Sequence, residues 1–322
     1  MAPRRRTIPY DRGLHDLGDG IFAYLQPDGG WGWSNAGLIV SEGTSLLVDT
    51  LFDLRLTGEM LERMAPLLER SPLGAAMNTH ANGDHCFGNQ LLPEGIPVYA
   101  TSSAAEEMRE VTPATVHTLF RETDLGPEFA AFARERFGAF ELEGIELRPP
   151  SSTFDGSLEL AVGDRTVELV ELGPAHTQGD AIAHVPDAAA VFTGDLLFVE
   201  GTPVAWAGPV DRWLRACKRI LALEARTIVP GHGPVTDAAG VRAVQRYLSY
   251  VRDQARLRFD AGMDPDEAAD DIDLGEFAEL GDPERIVVNV DTLYREFDPG
   301  RPPSPPPELF ARMARWLARH AP

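Results

Sequence analysis

Short apolar and polar runs alternate through "GIFAYLQPDGGWGWSNAGLIVSEGTSLLVDT" (20–50), punctuated by Gly, Pro and Asp, which predicts two or three antiparallel strands closing on "SLLVDT". The period then lengthens. Leu and Met recur at helical spacing in "LRLTGEMLERMAPLLER" (54–70), and a β-rich run, "LGAAMNT", follows that helix. Strand, helix, strand in this order implies a parallel crossover, whose functional residues belong at the carboxyl end of the strand.

Residues 101–140 read as helical, with Phe129, Phe132, Phe137 and Phe140 either packing the helices onto the sheet or forming an apolar lid. A second β-rich half runs from "STFDGSLELAVGDRTVELVELG" through "AIAHVPDAAAVFTGD" to "TIVPGHGPV", with a helix over 211–223 before its last strand. Both halves thus repeat strands, helix, strand. This predicts two sheets packed face to face between helices, an α/β fold of the αβ/βα four-layer sandwich type spanning residues 1–240, with a helical insertion at about 101–140. After residue 240 the pattern is a helical C-terminal extension (241–322), broken by a semi-rigid Pro-rich linker at 298–307. Its last helix carries Phe310, Met313, Trp316 and Leu317 on one face, a stripe that docks either on its own chain or in a homodimer contact.

Composition narrows the function. The chain has 322 residues and a formal charge of -21, with no basic stripe, which argues against nucleic acid and anionic membranes as partners. Cys86 and Cys217 are its two cysteines and make neither a disulfide framework nor a CxxC site. The charged N-terminus is followed by no apolar run, so neither a signal peptide nor a membrane anchor is expected. A soluble protein of the reducing cytoplasm fits these features.

The chemistry concentrates in "NTHANGDHCFGNQ" (78–90), where His80, Asp84 and His85 crowd around Asn82 in a chain with eight His. Three further ligand types follow apolar strands at sharp turns: His176 in "GPAHTQGD", Asp195 in "VFTGDLLF" and His232 in "VPGHGP". Each would project from a strand end into one cleft. In order and spacing, "THANGDH", "AHTQGD", "FTGD" and "PGHGP", led by "LLVDT", resemble the motifs of the metallo-β-lactamase fold hydrolases over about residues 14–240. Asn82 is the departure, standing at the second His of the family's H-x-H-x-D-H pattern; "DGGWGWSNAGLIV" and "NTHANGDHCFGN" resemble a bacterial branch described only as metal-dependent hydrolases.

The resemblance implies one metal position at His80, Asn82 and His176, a second at Asp84, His85 and His232, Asp195 bridging them, and Asp49 orienting the ligand loop. One or two zinc ions are the cofactor expected, with iron as the alternative, because imidazole and carboxylate suit both. With zinc, hydroxide generated at the metal would attack an ester, thioester, lactone or amide, and Asp84 would orient the nucleophile and shuttle its proton. With iron, His80, His176 and Asp195 would form a facial triad resembling that of the persulfide dioxygenases of this fold. Trp31, Trp33 and Trp206 are candidates for contacts with a partly hydrophobic substrate. The lack of a basic patch argues mildly against glutathione or coenzyme A thioesters.

Overall fold

The computed structural model describes residues 8–320; the reading of the charged N-terminus lies mostly outside the described residues. In the seven-stranded sheet, β1 (Gly13–Gly18), β2 (Ile21–Leu25), β3 (Ala36–Ser41) and β4 (Thr44–Val48) pair antiparallel, and β5 (Leu73–Met77), β6 (Val98–Thr101) and β7 (Ser152–Phe154) continue it in parallel. The five-stranded sheet orders β12 (Thr227–Val229), β11 (Ala190–Phe192), β10 (Ala181–Val185), β9 (Arg165–Glu171) and β8 (Ser157–Val162), with only β11 and β12 parallel. Both crossovers expected from the sequence are present.

Two strands depart from that reading. "GLHDLG" forms β1, an edge strand of mostly half-buried residues, which lacks the clean alternation that a buried face imposes. The run "STF", read as opening the second half, is β7 and closes the first sheet against β6. Three residues carry no usable period; hydrogen bonding to β6 decides the sheet they join.

The alternation of side chains builds the layers. Ile39, Leu46 and Val48 of the first sheet share an inner core with Leu169, Ala183 and Phe192 of the second. The sheets approach so closely that a Cβ on Gly37 would sit 2.1 Å from the Phe192 ring. Leu38 and Leu47 belong to the other cluster, with Leu56, Met60 and Met64 of helix α1 (Leu54–Leu68), whose first turn is capped by Asp53 accepting from the Leu56 N–H at 2.7 Å. Ile182, Val191 and Ile228 of the second sheet share it with Trp213, Cys217 and Ile220, which lie on the helix Val210–Ala222.

Between the first crossover and β7 come α2 (Gly83–Cys86), α3 (Ser102–Glu110), α4 (Pro113–His117) and α5 (Pro127–Phe137). The second crossover helix is α6 (Val210–Ala222), and the chain ends with α7 (Ala238–Asp260), α8 (Pro265–Asp271), α9 (Ile286–Phe297) and α10 (Pro306–His320). Phe310, Met313 and Trp316 of α10 are buried within the chain, where α10 packs on α5 and α9. The terminal stripe therefore docks on its own chain, each large apolar side chain contributing roughly 1.5–3 kcal/mol. Arg312 fixes the docking through Asp291 at 2.7 Å and Asp266 at 2.6 Å. No helix among the described residues is long and apolar enough to cross a membrane.

Candidate metal centre

β9 and β11 each run antiparallel to β10 and therefore share a direction, which β12 follows. Their carboxyl ends deliver His176, Asp195 and His232 to one edge of the sandwich, while β5 leads through Asn78 and Thr79 to His80 and α2. The structure brings all seven expected residues together there. His80, Asp84, His85, His176, Asp195 and His232 are buried, and Asn82 is half-buried.

Asp195 is the centre of the cluster. Its carboxylate lies 3.1 Å from His85 Nε2, 3.3 Å from His176 Nε2, 3.4 Å from His232 Nε2 and 3.7 Å from His80 Nε2. Asp84 Oδ2 is 3.2 Å from His232 Nε2 and 3.9 Å from His85 Nε2. A Cβ on residue 231 would fall 1.9 Å from Asp195 Oδ1, so Gly231 is required beside it.

The outer nitrogens explain why the inner ones converge. Nδ1 of His85 faces Asp49 at 2.9 Å, Nδ1 of His176 the Val204 carbonyl at 2.6 Å, and Nδ1 of His232 the Gly29 carbonyl at 3.0 Å. Nδ1 of His80 meets the Thr79 hydroxyl at 3.0 Å, which itself donates to Asp49 at 2.8 Å. Each partner accepts, so each Nδ1 carries a proton and Nε2 is the atom left for the cleft. His80 Nε2, His85 Nε2 and Asp195 Oδ1 are buried without a hydrogen-bond partner. Asp49 also accepts the Thr79 N–H at 2.7 Å, so a single carboxylate orients both His80 and His85.

Without a metal, the acidic cluster draws protons. Burial pushes His80 well below the usual imidazole range and lowers His176. Burial also opposes the charge on His85 and His232, yet Asp195 and Asp84 outweigh it, raising His85 well above its ordinary value and His232 to about 9. For Asp84 and Asp195, burial is likewise outweighed by the neighbouring imidazoles, and both are lowered. Burial raises Asp49, with His85 opposing it. Converging imidazole lone pairs, ionised carboxylates and orphaned inner atoms fit one or two divalent transition-metal ions. His80, His85 and Asp195 form one compact ligand group, and Asp84, His85 and His232 another.

The remaining candidates separate. Asn82 opens α2 without capping it and turns its amide onto His176 Nε2 at 3.2 Å. Trp31 is enclosed: its Nε1–H donates to Glu284 at 2.8 Å, Arg285 lies 4.2 Å above its ring, and Phe132, Phe137, Trp206 and Phe310 surround it. Trp33, against Phe140, and Trp206, whose N–H donates to the His176 carbonyl, stay half-buried. His15, His117, His184 and His320 bond or stack elsewhere.

Sequence reasoning missed several supports. Asn35 donates to the carbonyls of Pro230 and Gly233, bracing the His232 turn, and Asn78 holds the His85 carbonyl at 2.8 Å. Phe198 stacks on His232 at 5.1 Å and Arg285 caps Phe198. The polar pair "SN" directly before an apolar strand was a readable signal for Asn35; Phe198 and Arg285 offered none.

The sequence matches the metallo-beta-lactamase superfamily over residues 29–232, and the chain belongs to that superfamily. It is 27% identical over 197 residues to a hydroxyacylglutathione hydrolase of Methylococcus capsulatus, covering 61% of this chain and 56% of that protein. It is 32% identical over 96 residues to a beta-lactamase-like protein 2 homolog of Caenorhabditis elegans, covering 30% of this chain and 31% of the relative. The chain thus spans about a third to just over half of the length of these relatives. Among solved structures, the sec-alkylsulfatase Pisa1 from Pseudomonas sp. superposes with a TM-score of 0.69 at 14% identity, over 92% of this chain and 52% of that one. The DIM-1 metallo-beta-lactamase gives 0.55 at 19% identity, over 75% of this chain and 99% of the other. These two likenesses concern the fold.

Proposed function

We propose that the chain is a metal-dependent hydrolase that cleaves an ester, thioester, lactone or amide bond of a small, partly hydrophobic substrate. One observation carries this reading: four imidazoles whose Nδ1 atoms are all engaged turn Nε2 towards a single carboxylate, Asp195. His80 and His176, with Asn82 at their edge, would hold one metal, Asp84, His85 and His232 the other, and Asp195 would bridge them. When bound, zinc lowers the pKa of coordinated water towards neutrality and polarises a carbonyl.

The chain's own residues supply the rest. Asp84 Oδ2, at the rim of the cluster, is placed to orient the attacking water and take its proton. Asp49 and Thr79 fix His80 and His85, so the ligands lose little freedom on loading. Trp206, packed against Trp31, and Trp33, packed against Phe140, are the half-buried aromatic candidates for contact with substrate. The thioester within this class is supported by the resemblance to the hydroxyacylglutathione hydrolase.

His80, His176 and Asp195 are also close enough for the iron triad, so the metal decides between hydrolysis and oxygen chemistry. Mass spectrometry of metal content on protein purified without an affinity metal, followed by assays on nitrophenyl esters, acyl thioesters and lactones, tests both. Zinc with hydrolytic turnover is the expected result. Iron with oxygen consumption, or no bound metal at all, would overturn it.

A further inference from the structure

Asn82 does something at this site that a histidine would not. His176 is fixed from behind: its Nδ1–H donates to the Val204 carbonyl at 2.6 Å, and its own carbonyl accepts from the N–H groups of Trp206 and Ala207. Its Nε2 is therefore an acceptor. Two groups face that atom, Asp195 Oδ2 at 3.3 Å, which is ionised and cannot donate, and the Asn82 Nδ2 amide at 3.2 Å, which can. The Asn82 side chain is free for this because it makes no capping bond to α2.

The other half of the cluster has no such plug. His232 Nε2 faces only carboxylate oxygens, Asp84 at 3.2 Å and Asp195 at 3.4 Å, and His85 Nε2 faces Asp195 at 3.1 Å. No side-chain amide stands against these nitrogens in the way of an entering cation. A cation entering beside His80 and His176 must break the Asn82 bond, and the amide left over is neutral and a weaker donor than imidazole.

We propose that Asn82 caps the His176 lone pair and thereby sets a loading order, in which the position of Asp84, His85, His232 and Asp195 fills first and that of His80 and His176 fills second and more weakly. This rests on the metal-centre reading above. It makes the protein a one-metal species at low metal and a two-metal species at high metal.

The test is a titration of the metal-free full chain with Co2+, followed by its visible absorption, with calorimetry using Zn2+ alongside. The expected result is two steps at least tenfold apart in affinity, with Asp84→Asn weakening the tighter one. Asn82→Ala, which cannot donate, should tighten the weaker step by about fivefold, the worth of one hydrogen bond. Asn82→Asp, which cannot donate and adds charge, should tighten it further. Circular dichroism on each variant checks that the fold is intact. Two equal steps in the unaltered protein would overturn the loading order. A weaker second step in Asn82→Ala would show Asn82 to be a ligand and overturn the cap. Absence of any binding would remove the metal centre itself, an outcome distinct from either.

Discussion

The ligand cluster takes its side chains from the ends of β5, β9, β11 and β12, whereas the wall beside it is assembled from segments remote in the chain. Trp31 comes from the loop before β3, Phe132 and Phe137 from α5, Arg285 from the turn before α9, and Phe310 from α10. In the cluster, inner polar atoms are left facing one another without partners. In the wall, apolar rings tile against each other and the Arg285 guanidinium lies between Trp31 and Phe198 while pairing Asp282 at 2.8 Å. Glu284 Oε2 and Arg285 Nε in the wall lack partners too, but in the cluster several imidazole and carboxylate atoms converge on one another; that convergence marks where binding is to happen, and tiled rings mark what holds that place in shape. The two meet at His232, whose ring stacks on Phe198.

The comparison breaks most sharply at Asp195. Asp195→Ala should empty both metal positions and lower hydrolysis by at least about 10^3-fold, since several kcal/mol of transition-state stabilisation depend on the metal. Metal analysis and turnover on the purified variant check this; full metal content would end the bridging assignment. The wall answers differently. Arg285→Met removes the closer of the two guanidinium groups paired with buried Asp282, leaving Arg136 at 3.7 Å; Asp282 stands beside Glu284, whose carboxyl is already raised by burial and by Asp282. A loss of about 3 kcal/mol in stability is expected, measured by urea unfolding, with metal stoichiometry kept. Loss of metal from folded Arg285→Met would mean that wall and cluster are one unit.

The same contrast decides what could be read from the sequence. His80, Asp84, His85, His176, Asp195 and His232 each follow an apolar strand and stand among small residues, so the local pattern announces a strand end with a ligand on it. The layer order was equally legible from the two crossovers. The Trp31 to Glu284 hydrogen bond joins residues 253 positions apart, and "DPERIV" carries only helix-start signals, so nothing local shows that this turn would reach the site. Asn35 and Asn78 bond backbone carbonyls of other loops, a role that no period encodes. β7 joined the first sheet through long-range pairing alone.

Asp49 sharpens the comparison from beneath the ligands. Asp49→Asn keeps the volume but sets an amide N–H against the His85 N–H or the Thr79 hydroxyl, where an acceptor now stands. Metal affinity should fall by about 10–100-fold, the usual cost of losing an outer partner, while the fold persists. Competition with a chromophoric chelator measures the fall, and an unchanged affinity would reduce Asp49 to packing.

The smallest effect tests the seam between α9 and α6. Glu296 of α9 accepts the Val210 N–H at 2.8 Å, at the start of α6, and burial raises its carboxyl to about 7 from an ordinary 4.5. Below pH 4.5 both folded and unfolded chains hold this proton, so it contributes nothing to stability. Between 4.5 and about 7 the unfolded chain releases the proton first, so stability falls as pH rises, and above 7 the whole penalty remains. Its partial exposure limits the penalty to the order of 1 kcal/mol. Glu296→Gln keeps an oxygen for the Val210 N–H and cannot ionise. Urea unfolding should therefore show the variant more stable than the unaltered chain at pH 8 and equal to it at pH 4; equal gains at both would place the effect in packing rather than in the proton.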